Sequence, residues 1–152
     1  MKCSYFKSKP HKPMKRSKIR KKSKQPISRI QRKLWEFCKQ IIRLTYGNNC
    51  YTCPATGLVG SNWHTGHMFA KASLGSSLKY DLRVLRPQCY NCNINQGGRG
   101  ADFIEKMRKV EGDSYVDAII EDKKVQVNAY DHYTSLIPRY EILLAELIKN
   151  QK

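Results

Sequence analysis

The sequence predicts an α+β fold in which a small core of short strands is bracketed by cysteines and flanked by helices. Three observations predict it. Apolar residues recur at three- and four-residue spacing over residues 28–46 and again beyond residue 101, the period of an amphipathic helix. Between residues 50 and 92 that period is lost, and Gly, Ser, Asn and aromatic side chains dominate, as in short strands joined by loops. Two Cys-x2-Cys units, Cys50-Tyr51-Thr52-Cys53 and Cys89-Tyr90-Asn91-Cys92, stand at the ends of that stretch.

Four segments follow in order. Residues 1–26 are rich in Lys, Ser and Pro, cannot bury enough apolar surface to offset their ordering entropy, and are expected to form a disordered basic arm that grips phosphates. Cys3 has no obvious partner there. Residues 27–49 are expected to hold an amphipathic helix whose apolar stripe is Ile30, Leu34, Phe37, Cys38, Ile41 and Leu44. Ser28 and Gln31 are spaced for a capping box, and Gly47 supplies a stop. Residues 50–100 read as the functional core, held by metal and not by a large apolar interior. A helix is expected to begin near Cys89 or Cys92, with Gln96-Gly97-Gly98-Arg99-Gly100 interrupting the pattern. Residues 101–152 form a helical region: a helix over 101–110, a break at Gly112-Asp113, a short helix over 114–121, an ambiguous stretch over 125–130, and a last helix over 135–149 with Pro138 in its first turn.

A chain of 152 residues suits one domain. Its formal charge of +17 favours a polyanionic partner. No apolar run approaches the roughly 20 residues of a membrane span, so nucleic acid is expected and a membrane is not. No apolar secretory segment is evident, which points to the cytoplasm, where six cysteines read as metal ligands or free thiols before disulfides. The charge is uneven. Residues 1–33 carry fourteen Lys/Arg and no acid, and Asp81 is the only carboxylate between Glu36 and Asp102.

Two Cys-x2-Cys units can complete a tetrahedral, all-cysteine site, and zinc is the ion such a set takes. Thirty-five residues separate Cys53 from Cys89, against the roughly 15–20 of a simple zinc ribbon, so something is inserted. The insert contains His64 and His67. Three readings stand: Cys50, Cys53, His64 and His67 form a finger of their own; both histidines are surface residues; or at least one is catalytic.

The order Cys-x2-Cys, Gly66-His67, Cys-x2-Cys-Asn93 resembles the zinc-stapled branch of the HNH (ββα-metal) nucleases, and the asparagine straight after the last cysteine is similar to the ending of the phage endonuclease VII family. Leu34-Trp35, Cys50-Tyr51-Thr52-Cys53, Thr65-Gly66-His67-Met68-Phe69, Asp81-Leu82-Arg83 and Arg86-Pro87-Gln88-Cys89-Tyr90-Asn91-Cys92-Asn93 more closely resemble the phage NinG/Rap recombination nucleases. The resemblance implies a metal-dependent DNA endonuclease acting on branched, Holliday junction-like DNA. It implies His67 as general base, Asn93 as a ligand of a catalytic Mg2+ or Mn2+, and 5′-phosphate and 3′-hydroxyl ends. His64 and Asp81 are rival candidates for the second ligand. The chain departs from the HNH pattern at Val84, where an asparagine normally braces the loop carrying the base.

With one carboxylate in the region, composition argues against a two-metal site, and a single weakly held ion using His and Asn is what the residues can build. Lys71, Lys79, Arg83, Arg86 and Arg99 flank the motif as candidate DNA-phosphate contacts. Tyr51, Trp63 and Tyr90 are expected to pack around the zinc. A resolvase cuts as a symmetric pair, so the C-terminal helices are expected to support a homodimer. The alternative is a zinc-dependent nucleic-acid-binding protein without catalysis.

Overall fold

The computed structural model describes residues 24–151, so the expectations for the basic arm up to residue 23 and for Cys3 lie outside the described residues. The first helix, α1, spans Ile27–Tyr46 and buries Ile30, Leu34, Cys38, Ile41 and Ile42. Their three- and four-residue spacing places them on one face, as the sequence predicts. The two ends differ in how far they match. Gly47, at φ 71°, closes the helix with its N–H on the Arg43 carbonyl. The expected capping box is not formed: Pro26 occupies the cap position, no side chain caps the first turn, and Ser28 lies inside the helix.

The chain then enters a two-stranded antiparallel sheet, β1 (Trp63–His67) against β2 (Leu85–Cys89), with Trp63 opposite Cys89 and His67 opposite Leu85. Met68 N–H continues the ladder to the Val84 carbonyl at 2.8 Å. After β2 comes not an α-helix but a π-helical turn, Asn91–Asn95. The glycine turn that follows includes Gly97 and Gly98 at positive φ, and only then does α2 (Gly100–Glu111) begin. Helix α3 spans Asp113–Asp122 and α4 spans Ala129–Lys149.

Helix α4 begins at Ala129 and not near residue 135, because the Asn128 side chain accepts the Asp131 N–H and starts the helix within the ambiguous stretch. Pro138 therefore lies inside the helix and not in its first turn. A proline there leaves the carbonyl four residues back, on Thr134, without its usual donor. The helix continues across it because Tyr133, Leu136, Tyr140 and Leu144 are buried, and this apolar face packs against α1.

One expectation about the middle of the chain is corrected. Leu58, Met68, Leu78, Tyr80, Val84 and Leu85 are buried and belong to the same apolar cluster as α1 and α4. The cysteine-bracketed segment is therefore anchored in the main core as well as by its thiols. Two polar contacts lock it there: Tyr140 Oη donates to the Tyr80 carbonyl at 2.6 Å, and the Cys38 thiol donates to the same carbonyl at 3.6 Å.

Gly66 is fixed by close approach. A Cβ there would lie 1.9 Å from Gln88 Oε1 and 2.5 Å from its Cδ. Gln88 cannot yield: it is fully buried, and its amide donates to Thr52 Oγ1 at 2.9 Å and to the Gly98 carbonyl at 2.7 Å. Gly66→Ala is expected to destabilise the fold by about 1–3 kcal/mol or more, the usual cost of overpacking. An unchanged urea midpoint for that variant would refute the tight packing.

Candidate metal centre and adjoining pocket

The two Cys-x2-Cys loops converge. The sulfurs of Cys50, Cys53, Cys89 and Cys92 all lie within 4.8 Å of one another, and those of Cys53 and Cys89 are 3.8 Å apart. A tetrahedral zinc with Zn–S bonds near 2.3 Å separates its sulfurs by roughly 3.8 Å, so the donor set fits that ion. The sheet supplies the convergence, because its register sets Cys89 at the end of β2 and Tyr51 N–H reaches the Pro87 carbonyl at 2.8 Å.

Amide donors surround the sulfurs. Cys89 N–H reaches Cys50 Sγ at 3.3 Å and Cys92 N–H reaches Cys89 Sγ at 3.4 Å. Burial opposes ionisation of Cys50, but the N–H groups of Cys89 and Thr52 outweigh it and bring the thiol down to about 6. Arg99, at φ 48°, aims its guanidinium at Cys92 Sγ at 4.0 Å while pairing with Asp102. The cluster overturns the reading of a finger built from Cys50, Cys53, His64 and His67, since the histidines are not part of it.

His67 ends β1 and lines a cavity of about 460 Å³ together with Trp35, Thr65, Lys71, Asn93 and the Gly97–Gly98 turn. Strand alternation puts Thr65 and His67 on one face of β1. The imidazole is held from two sides. Its ring stacks on Trp35 of α1, with centroids 5.3 Å apart and planes 3° off parallel. Its Nε2 lies 3.2 Å from the Lys79 carbonyl. A carbonyl only accepts, so that bond places the proton on Nε2 and leaves the lone pair on Nδ1. Burial lowers the His67 pKa below the ordinary 6.5, and the charges of Lys71 and Lys79 lower it further, against the raising effect of the Lys79 carbonyl. Burial and these charges therefore favour the neutral ring. Trp35 and the Lys79 carbonyl brace the imidazole, whereas Val84 is buried in the core.

Asn93 reaches the same cavity from the π-helical turn. The two candidates for a further ligand do not. Strand alternation turns His64 to the opposite face of β1 from His67, where its Nε2 meets the Ser61 carbonyl at 2.9 Å and its ring meets the edge of Tyr90. Asp81 caps the short turn Leu82–Val84 and holds Arg83 through both carboxylate oxygens, lining a different cavity between that turn and α4. Among the described residues, no carboxylate lines the cavity of His67. Gly66, the residue before His67, offers no ligand either, because the space beside it is filled by Gln88.

The basic candidates also divide. Lys71 lines the cavity, its ammonium 5.3 Å from the Trp35 ring centroid; Lys79 meets His67 through its backbone carbonyl, and its ammonium lies 5.7 Å from the Tyr80 ring centroid. Arg86 is corrected from a DNA contact to a structural residue. It is 1% exposed, donates to the Leu82, Arg83 and Leu85 carbonyls, pairs with Glu111, and lies over the Tyr46 and Tyr51 rings. Arg83 is paired with Asp81 and Asp122, and Arg99 with Asp102, so the charge of each is partly neutralised within the fold. Trp63 stands opposite Cys89 in the sheet and donates to the Gly47 carbonyl, Tyr51 packs on Phe103, and Tyr90 is exposed.

Sequence reasoning gives neither Trp35 nor Thr65 a role in the site. Trp35 sits one position beyond the buried stripe of α1, and both residues enter the sequence analysis only within stretches that carry the family resemblance. Thr65 is 6% exposed, and its Oγ1 is buried with no hydrogen-bond partner, a condition that costs about 1–3 kcal/mol. Among the described residues no helix is long and apolar enough to cross a membrane.

A family model described as NinG, bacteriophage lambda NinG protein, matches residues 5–150. No curated protein and no solved structure matches the chain.

Proposed function

The chain belongs to the bacteriophage lambda NinG family, a family related to phage recombination, and from that premise we propose that it is a metal-dependent DNA endonuclease of HNH type acting on branched recombination intermediates. One observation carries the reading: a neutral imidazole, oriented by a stack and a carbonyl, shares an electropositive cavity with Asn93 beside a four-cysteine metal cluster. The antiparallel pair β1–β2 followed by α2 supports the ββα-metal arrangement.

In this reading His67 Nδ1 takes a proton from water, and the resulting hydroxide attacks phosphorus. The bond from phosphorus to the 3′-oxygen breaks, the departing oxygen takes a proton from solvent water, and the ends are a 5′-phosphate and a 3′-hydroxyl. Lys71 and Lys79 attract the phosphodiester and, with burial, keep the base unprotonated. The donor set suits a divalent cation only weakly, since Asn93 offers a neutral amide oxygen and no carboxylate lines the cavity. Asn93 and the DNA phosphate would hold such an ion, and when bound it would stabilise the negative charge that develops on the phosphate. The lack of a carboxylate favours a second reading, a zinc-dependent nucleic-acid-binding protein without catalysis.

Nicking of supercoiled plasmid and cutting of a four-way junction in Mg2+ or Mn2+ distinguish the two. Metal-dependent cleavage by the zinc-loaded chain is expected. Tight DNA binding with no cleavage in either metal would replace the nuclease by the binding module.

The pH profile offers a finer check. Only neutral His67 can accept the proton, so activity is expected to fall on the acid side, with its midpoint below 6.5. Lys71→Met removes a positive charge that disfavours imidazolium, raises the His67 pKa, and is expected to move that limb up towards 6.5. A limb that stays in place, or moves to more acid pH, contradicts the electrostatic assignment.

A further inference from the structure

The hydroxyl of Thr65 makes no hydrogen bond among the described residues. Its oxygen is buried without a partner, although the residue lines the cavity that holds His67 and Asn93. Buried polar groups are nearly always paired, and an orphan calls for an explanation. A threonine whose only structural duty was to fill space between the strands would be served as well by valine, which has the same shape and no hydroxyl to satisfy. No acceptor fixes the Thr65 rotamer, so a staggered step about χ1 sacrifices no hydrogen bond.

The surroundings indicate what the hydroxyl awaits. Among the described residues the cavity wall carries Lys71 and no carboxylate. The charges of Lys71 and Lys79 reach His67 itself, where they add to burial in disfavouring a further positive charge. Such a cavity favours an anion over a free cation. We propose that Thr65 is a phosphate-binding residue, whose hydroxyl donates to a non-bridging oxygen of the phosphodiester and seats the phosphorus within reach of His67. This rests on the nuclease reading for its purpose, but not for its chemistry: the site takes phosphate whether or not a bond is then broken.

The test uses the zinc-loaded full chain without Mg2+ or Mn2+. The probes are inorganic phosphate and the dinucleotide thymidylyl-(3′→5′)-thymidine, followed through the His67 ring resonances. Thr65→Val is expected to weaken both by about tenfold, the worth of a hydrogen bond to a charged group. Thr65→Ser should keep wild-type affinity within about twofold, because the donor remains. The unfolding midpoint of Thr65→Val should be no lower than that of wild type, which separates loss of a ligand from loss of the fold. Equal phosphate affinity for wild type and Thr65→Val would overturn the proposal. So would Mn2+ binding at residue 65 without phosphate, lost in Thr65→Val, which would make the hydroxyl a cation ligand. Thr65-dependent phosphate binding in a chain that cleaves no DNA would remove the nuclease reading and leave this site standing; cleavage with Thr65-independent phosphate binding would do the reverse.

Discussion

Replacing His67 by glutamine is expected to reduce DNA cleavage by about 10²–10⁴-fold, the usual contribution of a positioned general base. Glutamine can still donate an amide hydrogen to the Lys79 carbonyl and fill much of the space beside Trp35, but it has no lone pair able to take a proton at neutral pH. On the proposed reading DNA affinity should change little, because the positive charges of Lys71 and Lys79 near His67 are retained. The comparison therefore requires single-turnover cleavage and a binding measurement on the same protein. His67→Ala would show a similar loss of cleavage together with some loss of stability, since it also empties a half-buried site. Cleavage by His67→Gln at the wild-type rate would eliminate this residue as the base.

The second large effect concerns the fold. Cys92→Ser is expected to abolish stoichiometric zinc binding and to destabilise the chain by more than about 4 kcal/mol, in the range that loss of a metal or a core produces. Structural zinc supplies about 10–16 kcal/mol of apparent binding energy in small fingers at neutral pH. Here the consequence should reach beyond the cysteine loops. Leu58, Met68, Val84 and Leu85 lie between those loops in the chain yet pack in the same cluster as α1 and α4. Loosening the loops thus exposes part of the common interior. Native mass spectrometry reports the metal, and thermal unfolding of wild type with and without a chelator reports the stability. If the serine variant and the chelated wild type both melt where the untreated protein does, the four thiols hold no stabilising ion.

The two effects test separate parts of one arrangement. The cysteines act on the positions of β2 and the π-helical turn, and through them on Asn93 and the glycine turn. Gln88 links these parts directly, with one amide shared between Thr52 in the first cysteine loop and Gly98 at the edge of the cavity. Gly66, which leaves room for that amide, stands immediately before His67. Metal loss is accordingly expected to disturb the cavity of His67 although, among the described residues, no cysteine lines it.

Much of the fold is legible in the chain alone. The apolar period locates α1, α2 and α3 within a few residues, because each buries one face and the spacing of buried residues follows from helix geometry. The two Cys-x2-Cys units indicate a shared ion, because the spacer lets neighbouring thiolates face one point. The start of α4 and the place of Pro138 differ from expectation because a proline suggests a boundary, while burial of Tyr133 and Leu136 before it extends the helix.

What the sequence determined by itself, then, was the set of local choices: helix faces, the thiol pairs, the single scarce carboxylate and the excess of positive charge. These depend on residues a few positions apart, and periodicity or spacing records them directly. Only the tertiary structure decided that His64 faces away from His67, that Asp81 and Arg86 are committed to pairs within the fold, and that Trp35 and Thr65 share a cavity with the imidazole. Those facts depend on strand register and on the packing of α1 over the sheet, which bring together residues far apart in the chain, and no local pattern encodes which side chains then meet.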